Sequence, residues 1–179
     1  MRRSEAILVI GLAAVLLAGP ARIAVAAEEG AASALATWAG HGRLFQTGEK
    51  QALFVGAFQG VLFIENGQGI LHAARILCPG SMDVDLGTGD QKGEGRCIVT
   101  GRSGDRLFAR WTCAGPHLRG CNGKFTLTGG TGKFLGITGE SEFVVKTVVQ
   151  DISPGSGPED VKETMGGLAV WPELRYRIP

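Results

Sequence analysis

The sequence lacks the signs of several common classes of protein. Its 18 basic and 17 acidic residues nearly balance, and without a basic cluster the chain has no electrostatic footprint for nucleic acid. The apolar run at residues 7–19 is thirteen residues long, which is short of the roughly 20 residues that a membrane span needs. No Gly-x-Ser-x-Gly motif is present, so a hydrolase of that kind has no visible nucleophile. The sequence therefore predicts no nucleic-acid partner and no membrane span in the mature chain.

Close spacings typical of metal sites are also missing. The three histidines, His41, His72 and His117, form no His-x-His or His-x₃-His pair. A copper or zinc site built from them with Met82 or Met165 is possible only if the fold brings them together. We therefore expect three separate polar histidines, with His117 exposed in its loop, and no metal.

A phosphate-binding loop is excluded by two residues. The segment 130–133 reads Gly-Thr-Gly-Lys, but a phosphate loop needs a glycine at 127 and a hydroxyl residue at 134. Leu127 and Phe134 stand there instead. The sequence thus predicts no nucleotide site and no cofactor.

Residues 1–26 have the organisation of a cleaved export signal. Arg2 and Arg3 precede the apolar run, and Ala24-Val-Ala26 offers small residues before the acidic Glu28. An uncleaved anchor is the alternative. Cleavage would remove three basic residues and one acidic residue, leaving a slight acidic excess on about 150 residues, a length that suits one domain. The predicted location is the periplasm or the exterior.

The mature chain shows the pattern of an all-β protein. Residues 27–39 are rich in alanine and are expected to form a short helix or an unstructured leader. Between residues 40 and 179, short apolar runs alternate with Gly-rich and polar turns, including the Asn-Gly turn at 65–69. This spacing predicts a single antiparallel barrel or sandwich of about eight strands, and we favour the barrel.

Alternation is clearest in the hairpin 95–113. Cys97 and Val99 share one face, with Ile98 on the other. The second strand is expected to place two groups on opposite faces: Leu107, Ala109, Trp111 and Cys113 on one, and Arg106, Phe108, Arg110 and Thr112 on the other.

The four cysteines all lie in the mature chain. An even number in an exported protein predicts disulfides, and four cysteines allow three connectivities. We favour Cys113–Cys121, which closes a short loop between two strands, with Cys78–Cys97 across the preceding turn. Spacing alone leaves the other two connectivities open.

The stretch 124–149 predicts a strand, a tight glycine corner and a second strand. Phe134, Leu135 and Ile137 are too apolar for an exposed loop, so we expect them to fold back under the barrel. The corner carries the motif residues Gly129, Gly130, Gly132, Phe134, Gly136 and Gly139.

This motif, Gly-Gly-Thr-Gly-Lys-Phe followed by Gly-Ile-Thr-Gly, resembles the signature of the allene oxide cyclase and dirigent-type barrels and their bacterial relatives. The resemblance implies an eight-stranded antiparallel barrel related to the lipocalins, with an apolar cavity. It also implies a homo-oligomer, since members of those families often form dimers or trimers. None of their catalytic residues is carried over to this chain.

Three functions follow as hypotheses. The barrel binds a small apolar ligand in its cavity, which we favour; it performs cyclase-like or dirigent-like chemistry there; or it is a filled interaction module. An enzyme would need polar side chains converging inside the barrel. The candidates on or near strands are Glu65, His72, Arg75, Arg110, Glu140 and Glu142, of which His72 and Arg110 are the most embedded.

Overall fold

The structure is a computed structural model that describes residues 27–65, 70–157 and 160–179, with the backbone alone at 70–72 and 149. The predicted export signal and most of the turn at 65–69 lie outside the described residues. In the described part of the chain, no helix is long and apolar enough to cross a membrane.

Eight antiparallel strands form a closed barrel, as the sequence predicts, with each strand paired to the next and the last paired to the first. The turns after the first, third, fifth and seventh strands lie at one end of this up-and-down barrel, which we call the upper end. The lower end carries the other turns and the start of the first strand. The strands are β1 (Glu28–Gly48), β2 (Gln51–Glu65), β3 (Ile70–Asp85), β4 (Asp90–Thr100), β5 (Arg106–Pro116), β6 (Gly120–Gly130), β7 (Gly139–Pro154) and β8 (Asp160–Ile178).

The helix or leader expected over residues 27–39 is wrong, because β1 begins at Glu28. Alanine favours helices in isolation, but its propensity is weak compared with tertiary pairing. Here β1 pairs with β2 on one side and β8 on the other. Ala34 and Ala36 point into the barrel and are buried. The first strand therefore belongs to the barrel and closes it.

The predicted alternation of the β4–β5 hairpin is confirmed. Cys97 and Val99 are buried while Ile98 between them is largely exposed. On β5 the side chains of Ala109 and Trp111 are buried, as is that of Cys113 two residues on. Side chains of a strand alternate between two faces. The residues that point inward are therefore the ones that the sequence predicts.

Both favoured disulfides are present. Cys78 on β3 is bonded to Cys97 on β4, and Cys113 on β5 is bonded to Cys121 on β6. The second bond closes the turn between β5 and β6 at the upper end of the barrel.

The glycine corner between β6 and β7 folds partly as predicted. A 3₁₀ turn spans Gly132–Phe134, and Gly132 and Gly136 have φ values of 56° and 74° that favour glycine. Ile137 is buried and Phe134 packs against the core. Leu135, expected under the barrel, is 71% exposed instead. It lies between these two inward-packing residues, where the tight turn directs its side chain to solvent.

Trp111 lies against a wall of three glycines on β3 and β4. A Cβ atom at Gly80 would lie 2.5 Å from Trp111 Cζ2, and one at Gly95 would lie 2.5 Å from its Nε1. A Cβ at Gly93 would meet the same ring at 3.2 Å. The indole fits there because these positions have no side chain.

Replacing Gly95 by alanine should therefore destabilise the barrel by about 1–3 kcal/mol, the usual cost of forcing atoms into a packed core. Gly101→Ala is the matched control, because its Cβ would have 3.8 Å to its nearest neighbour, Asp105 O. Urea unfolding of the two variants measures the difference. Equal urea midpoints for the two variants would show that Trp111 packs equally well with a methyl group at position 95.

An ion pair ties the β7–β8 loop to β1 at the upper end. Arg43 bonds the carboxylate of Asp160, which also accepts hydrogen bonds from the backbone N–H groups of Gly157 (2.9 Å) and Ser156 (3.4 Å). Burial alone would raise the pKa of Asp160, but these hydrogen bonds and the charge of Arg43 lower it below its ordinary value.

This pKa direction sets a pH dependence. A carboxyl whose pKa is lowered on folding stabilises the protein above its unfolded pKa of about 3.9, and that stability is lost as the pH falls through the folded pKa. We expect wild type to be more stable than Asp160→Asn at pH 7, with the difference shrinking below about pH 4. Urea unfolding of both proteins across this range measures it. A difference that stays constant with pH would contradict the lowered pKa.

Candidate functional site

An apolar cavity of about 100 Å³ lies inside the barrel. Six aromatic side chains supply much of its wall and form two groups. The first aromatic group is Trp38, Phe58 and Trp111, and the second aromatic group is Phe125, Phe143 and Trp171.

The first aromatic group is built from edge-to-face contacts. Phe58 meets Trp38 with ring centroids 5.6 Å apart and Trp111 with centroids 5.8 Å apart. These contacts connect β1, β2 and β5, so that one half of the wall is held by rings that fix each other.

The second aromatic group connects β6, β7 and β8. Phe143 stacks on Trp171 at 5.6 Å, and Phe125 meets Trp171 edge to face at 5.3 Å. Between the two groups, Ala36 on β1 pairs with Ala169 on β8, and both line the cavity. Their small side chains leave the space that a leucine would fill.

A polar cluster of Gln91, His117, Gln150 and Glu163 lines the same cavity toward the upper end. His117 Nδ1 lies 2.7 Å from Gln91 Oε1, and His117 Nε2 lies 3.2 Å from Glu163 Oε1. Gln150 Nε2 donates to the same Glu163 oxygen at 2.6 Å. The side chain of Glu163 is 0% exposed, and that of His117 is 12% exposed. A buried carboxylate is thus held by two side chains from other parts of the barrel.

His117 links the two parts of the polar cluster. Its Nδ1 faces Gln91 Oε1 and its Nε2 faces Glu163 Oε1, and which nitrogen donates depends on the tautomer of the ring. An imidazole beside a carboxyl group is an arrangement that can hold and transfer a proton on the cavity wall.

The second oxygen of Glu163 has no hydrogen-bond partner among the described residues. The indole Nε1 atoms of Trp38, Trp111 and Trp171 are likewise buried without a protein partner there. An unsatisfied buried polar group costs about 1–3 kcal/mol, and more when it is charged. All four residues line the cavity, so the residues with unsatisfied buried polar groups are concentrated around it.

The turn that carries His117 is held in place from several sides. His117 N donates to Gly89 O at 2.8 Å, and Thr147 N donates to Arg119 O at 3.2 Å. Cys113–Cys121 closes the base of the turn. These bonds position the imidazole over the cavity, and they correct the expectation that His117 is exposed.

None of the strand-borne candidates whose side chains the structure describes lines the cavity. Arg110 lies on the outer face, because Ala109 and Trp111 on either side of it point inward. The side chain of His72 lies outside the described part of the structure. Among the other candidates, Arg75 and Glu142 are exposed on their strands, and Glu65 ends β2.

Glu140 forms a surface ion pair with Lys124 at 2.8 Å. The hydrogen bond from Lys124 and its charge hold the pKa of Glu140 below the usual value. This pair lies on the exterior and takes no part in the cavity.

The two histidines whose side chains the structure describes, His41 and His117, lie apart, as expected. His41 lies near Thr164 on the outside, while His117 lines the cavity together with Met82 and Met165. Within the described ranges, no group of three His, Cys, Asp or Glu side chains is arranged to hold a metal ion.

Sequence reasoning missed Glu163 and the role of His117. A signal for Glu163 was available, because it alternates in phase with the buried Met165, Ala169 and Trp171 along β8. A charged residue on an otherwise inward face is the uncommon case that marks a site. Glu163 contacts His117 only because the barrel closes, and the alternation of residues along a single strand does not predict that closure.

Comparison of the chain with protein-family models, curated proteins and solved structures gave no match. The resemblance to the allene oxide cyclase and dirigent group stays a prediction, and so does the homo-oligomer.

Proposed function

We propose that this protein is an exported barrel that binds a small, largely apolar ligand in its interior. The observation that carries the proposal is the unpartnered oxygen of Glu163, fully buried at the wall of an aromatic cavity. A ligand with an apolar body and one hydrogen-bond donor would pack against the rings and satisfy this oxygen. Few convergent polar groups in an apolar pocket are typical of small-molecule sites.

The size of the cavity limits the ligand. At about 100 Å³ it is smaller than an engineered cavity of about 150 Å³ that holds benzene. It is also below the roughly 300–1,000 Å³ of sites for drug-sized molecules. The ligand is thus a molecule of a few heavy atoms, or the narrow end of a longer one.

Two disulfides support an oxidising compartment, since such bonds persist mainly in exported proteins. Together with the signal-like residues 1–26, they support a periplasmic or secreted binding protein.

Tryptophan fluorescence offers a direct test, because all three tryptophans of the chain line the cavity. We expect a saturable change with at least one of three four-carbon probes: 1-butanol, butylammonium or butyrate. Tiny ligands gain at most about 1.5 kcal/mol per heavy atom, so 1-butanol and butylammonium, each of about five heavy atoms, should have dissociation constants of about 3 µM or weaker.

Ala36→Leu should fill the cavity and abolish the response to every probe. Ala39→Leu is the matched control, since Ala39 lies on the same strand but is exposed. A wild-type protein that responds to none of the probes, or an Ala36→Leu variant that responds as wild type does, would contradict the proposal.

A second candidate function is proton-transfer catalysis, favoured by the contact of His117 with Glu163 on the cavity wall. In D₂O, the pair would accept an α-proton from butanone, exchange it for a deuteron from the solvent, and return that deuteron to the α-carbon of the enolate. We expect wild type to exceed the rate in buffer and Glu163→Gln to lose that excess, as followed by proton NMR. No excess for wild type would exclude this candidate. The third function, a filled interaction module, is not favoured, because the interior contains this cavity.

A further inference from the structure

The charged side chain that lines the cavity is acidic rather than basic. No Lys or Arg is found among the described residues that line it, whereas Glu163 is a carboxylic side chain on its wall. Arg43, a cation at the same end of the barrel, is bonded to Asp160. His117 can carry a positive charge, but its two nitrogens are already directed at Gln91 and Glu163.

The two oxygens of Glu163 differ in a way that specifies the ligand. Oε1 accepts from Gln150 and faces His117, while Oε2 is buried with no partner in the described part of the chain. A carboxylate oxygen is an acceptor and forms its strongest hydrogen bonds with charged donors. Oε2 can therefore accept a hydrogen bond from a ligand, and an ammonium group is the donor that would form the strongest hydrogen bond there.

Aromatic rings supply the rest of the recognition. Cations are attracted to the faces of Trp, Tyr and Phe, most strongly to Trp, and more so when water is excluded. This cavity is lined by three tryptophans and three phenylalanines. An alkylammonium ion would pack its carbon chain between the two aromatic groups and direct its nitrogen to Glu163.

An acidic ligand is disfavoured by the same arrangement. The unpartnered indole N–H groups of Trp38 and Trp171 are donors that a carboxylate could use. Its charge would nevertheless share a cavity of about 100 Å³ with Glu163. Like charges brought together at low dielectric repel strongly. We propose that the ligand of this cavity is a small organic cation, an alkylammonium, with Glu163 Oε2 as its anionic partner. This inference rests on the proposed function and specifies its ligand class.

The test compares butylammonium, 1-butanol and butyrate, which share a four-carbon body and differ in the polar end. In wild-type protein we expect butylammonium to bind at least tenfold more tightly than 1-butanol, with butyrate the weakest. Glu163→Gln should weaken butylammonium at least tenfold and change 1-butanol less than about threefold, because a charged hydrogen bond is lost.

Asp160→Asn is the control for general electrostatics, since it removes a carboxylate at the same end that does not line the cavity. It should leave the affinity for butylammonium unchanged. If wild type binds 1-butanol or butyrate as tightly as butylammonium, the cation inference is wrong and ligand binding stands. If no probe binds, both the cation inference and the proposed ligand binding are wrong. Should Glu163→Gln fail to fold, the wild-type ranking of the three probes still decides the inference.

Discussion

Removing both disulfides should lower the free energy of unfolding by about 5–6 kcal/mol, enough to bring a protein of this size close to unfolding. Cys78–Cys97 closes a loop with a sequence separation of 19 and should contribute about 3 kcal/mol. Cys113–Cys121, with a separation of 8, should contribute about 2.5 kcal/mol. Urea unfolding of the two double-serine variants, and of the fourfold variant, measures these values.

The intact mass of the denatured protein is the control for these variants, because two disulfides remove four hydrogens. An oxidised protein whose unfolding midpoint does not change on reduction would contradict the expected stabilisation by the disulfides. The shorter loop has a second consequence, since it carries His117. Losing Cys113–Cys121 should therefore weaken probe binding more than losing Cys78–Cys97 does, even where both variants remain folded.

Trp171→Ala should destabilise the barrel by about 3–5 kcal/mol, the usual cost of removing a buried tryptophan. Trp171 is buried and packs against Phe125 and Phe143 as part of the cavity wall. The truncation would enlarge the cavity by about the volume of an indole ring. We therefore expect added indole to bind the variant and restore part of its stability, in proportion to the logarithm of the indole concentration.

Thermal unfolding with and without indole measures this rescue. Wild-type protein is the control and should gain little, because its cavity is too small for indole. A Trp171→Ala protein that is folded but gains nothing from indole would show that the wall collapses inward, so that the space is not a preformed cavity.

The sequence predicts an all-β fold of about eight strands, favours the barrel over a sandwich, and indicates the inward faces of its clearest hairpin. Alternation around Cys97 and Trp111 predicts which side chains are buried, since the two faces of a strand differ by one residue in phase. The same hairpins favour the observed disulfide pairing, because the bonded cysteines lie on neighbouring strands, although spacing alone leaves the other two connectivities open. These features depend on residues close together in the chain.

Features that depend on closure are the ones the sequence does not show. The first half of β1 is rich in alanine and becomes a strand only because β2 and β8 pair with it. The polar cluster joins the turn before β6 to the start of β8. Because His117 and Glu163 are far apart in the sequence, the pattern of neither segment predicts their contact. Arg110 was a candidate because it is embedded in a strand, although the alternation of that strand already placed it on the face opposite to Ala109 and Trp111.

The central claim is that the interior of the barrel is a preformed apolar binding cavity. A crystal structure under xenon pressure tests it most directly, since xenon enters apolar cavities of this kind. We predict one xenon atom inside the barrel of wild-type protein, between Trp38 and Trp171, and none in Ala36→Leu. A wild-type barrel that takes up no xenon in its interior would contradict the account.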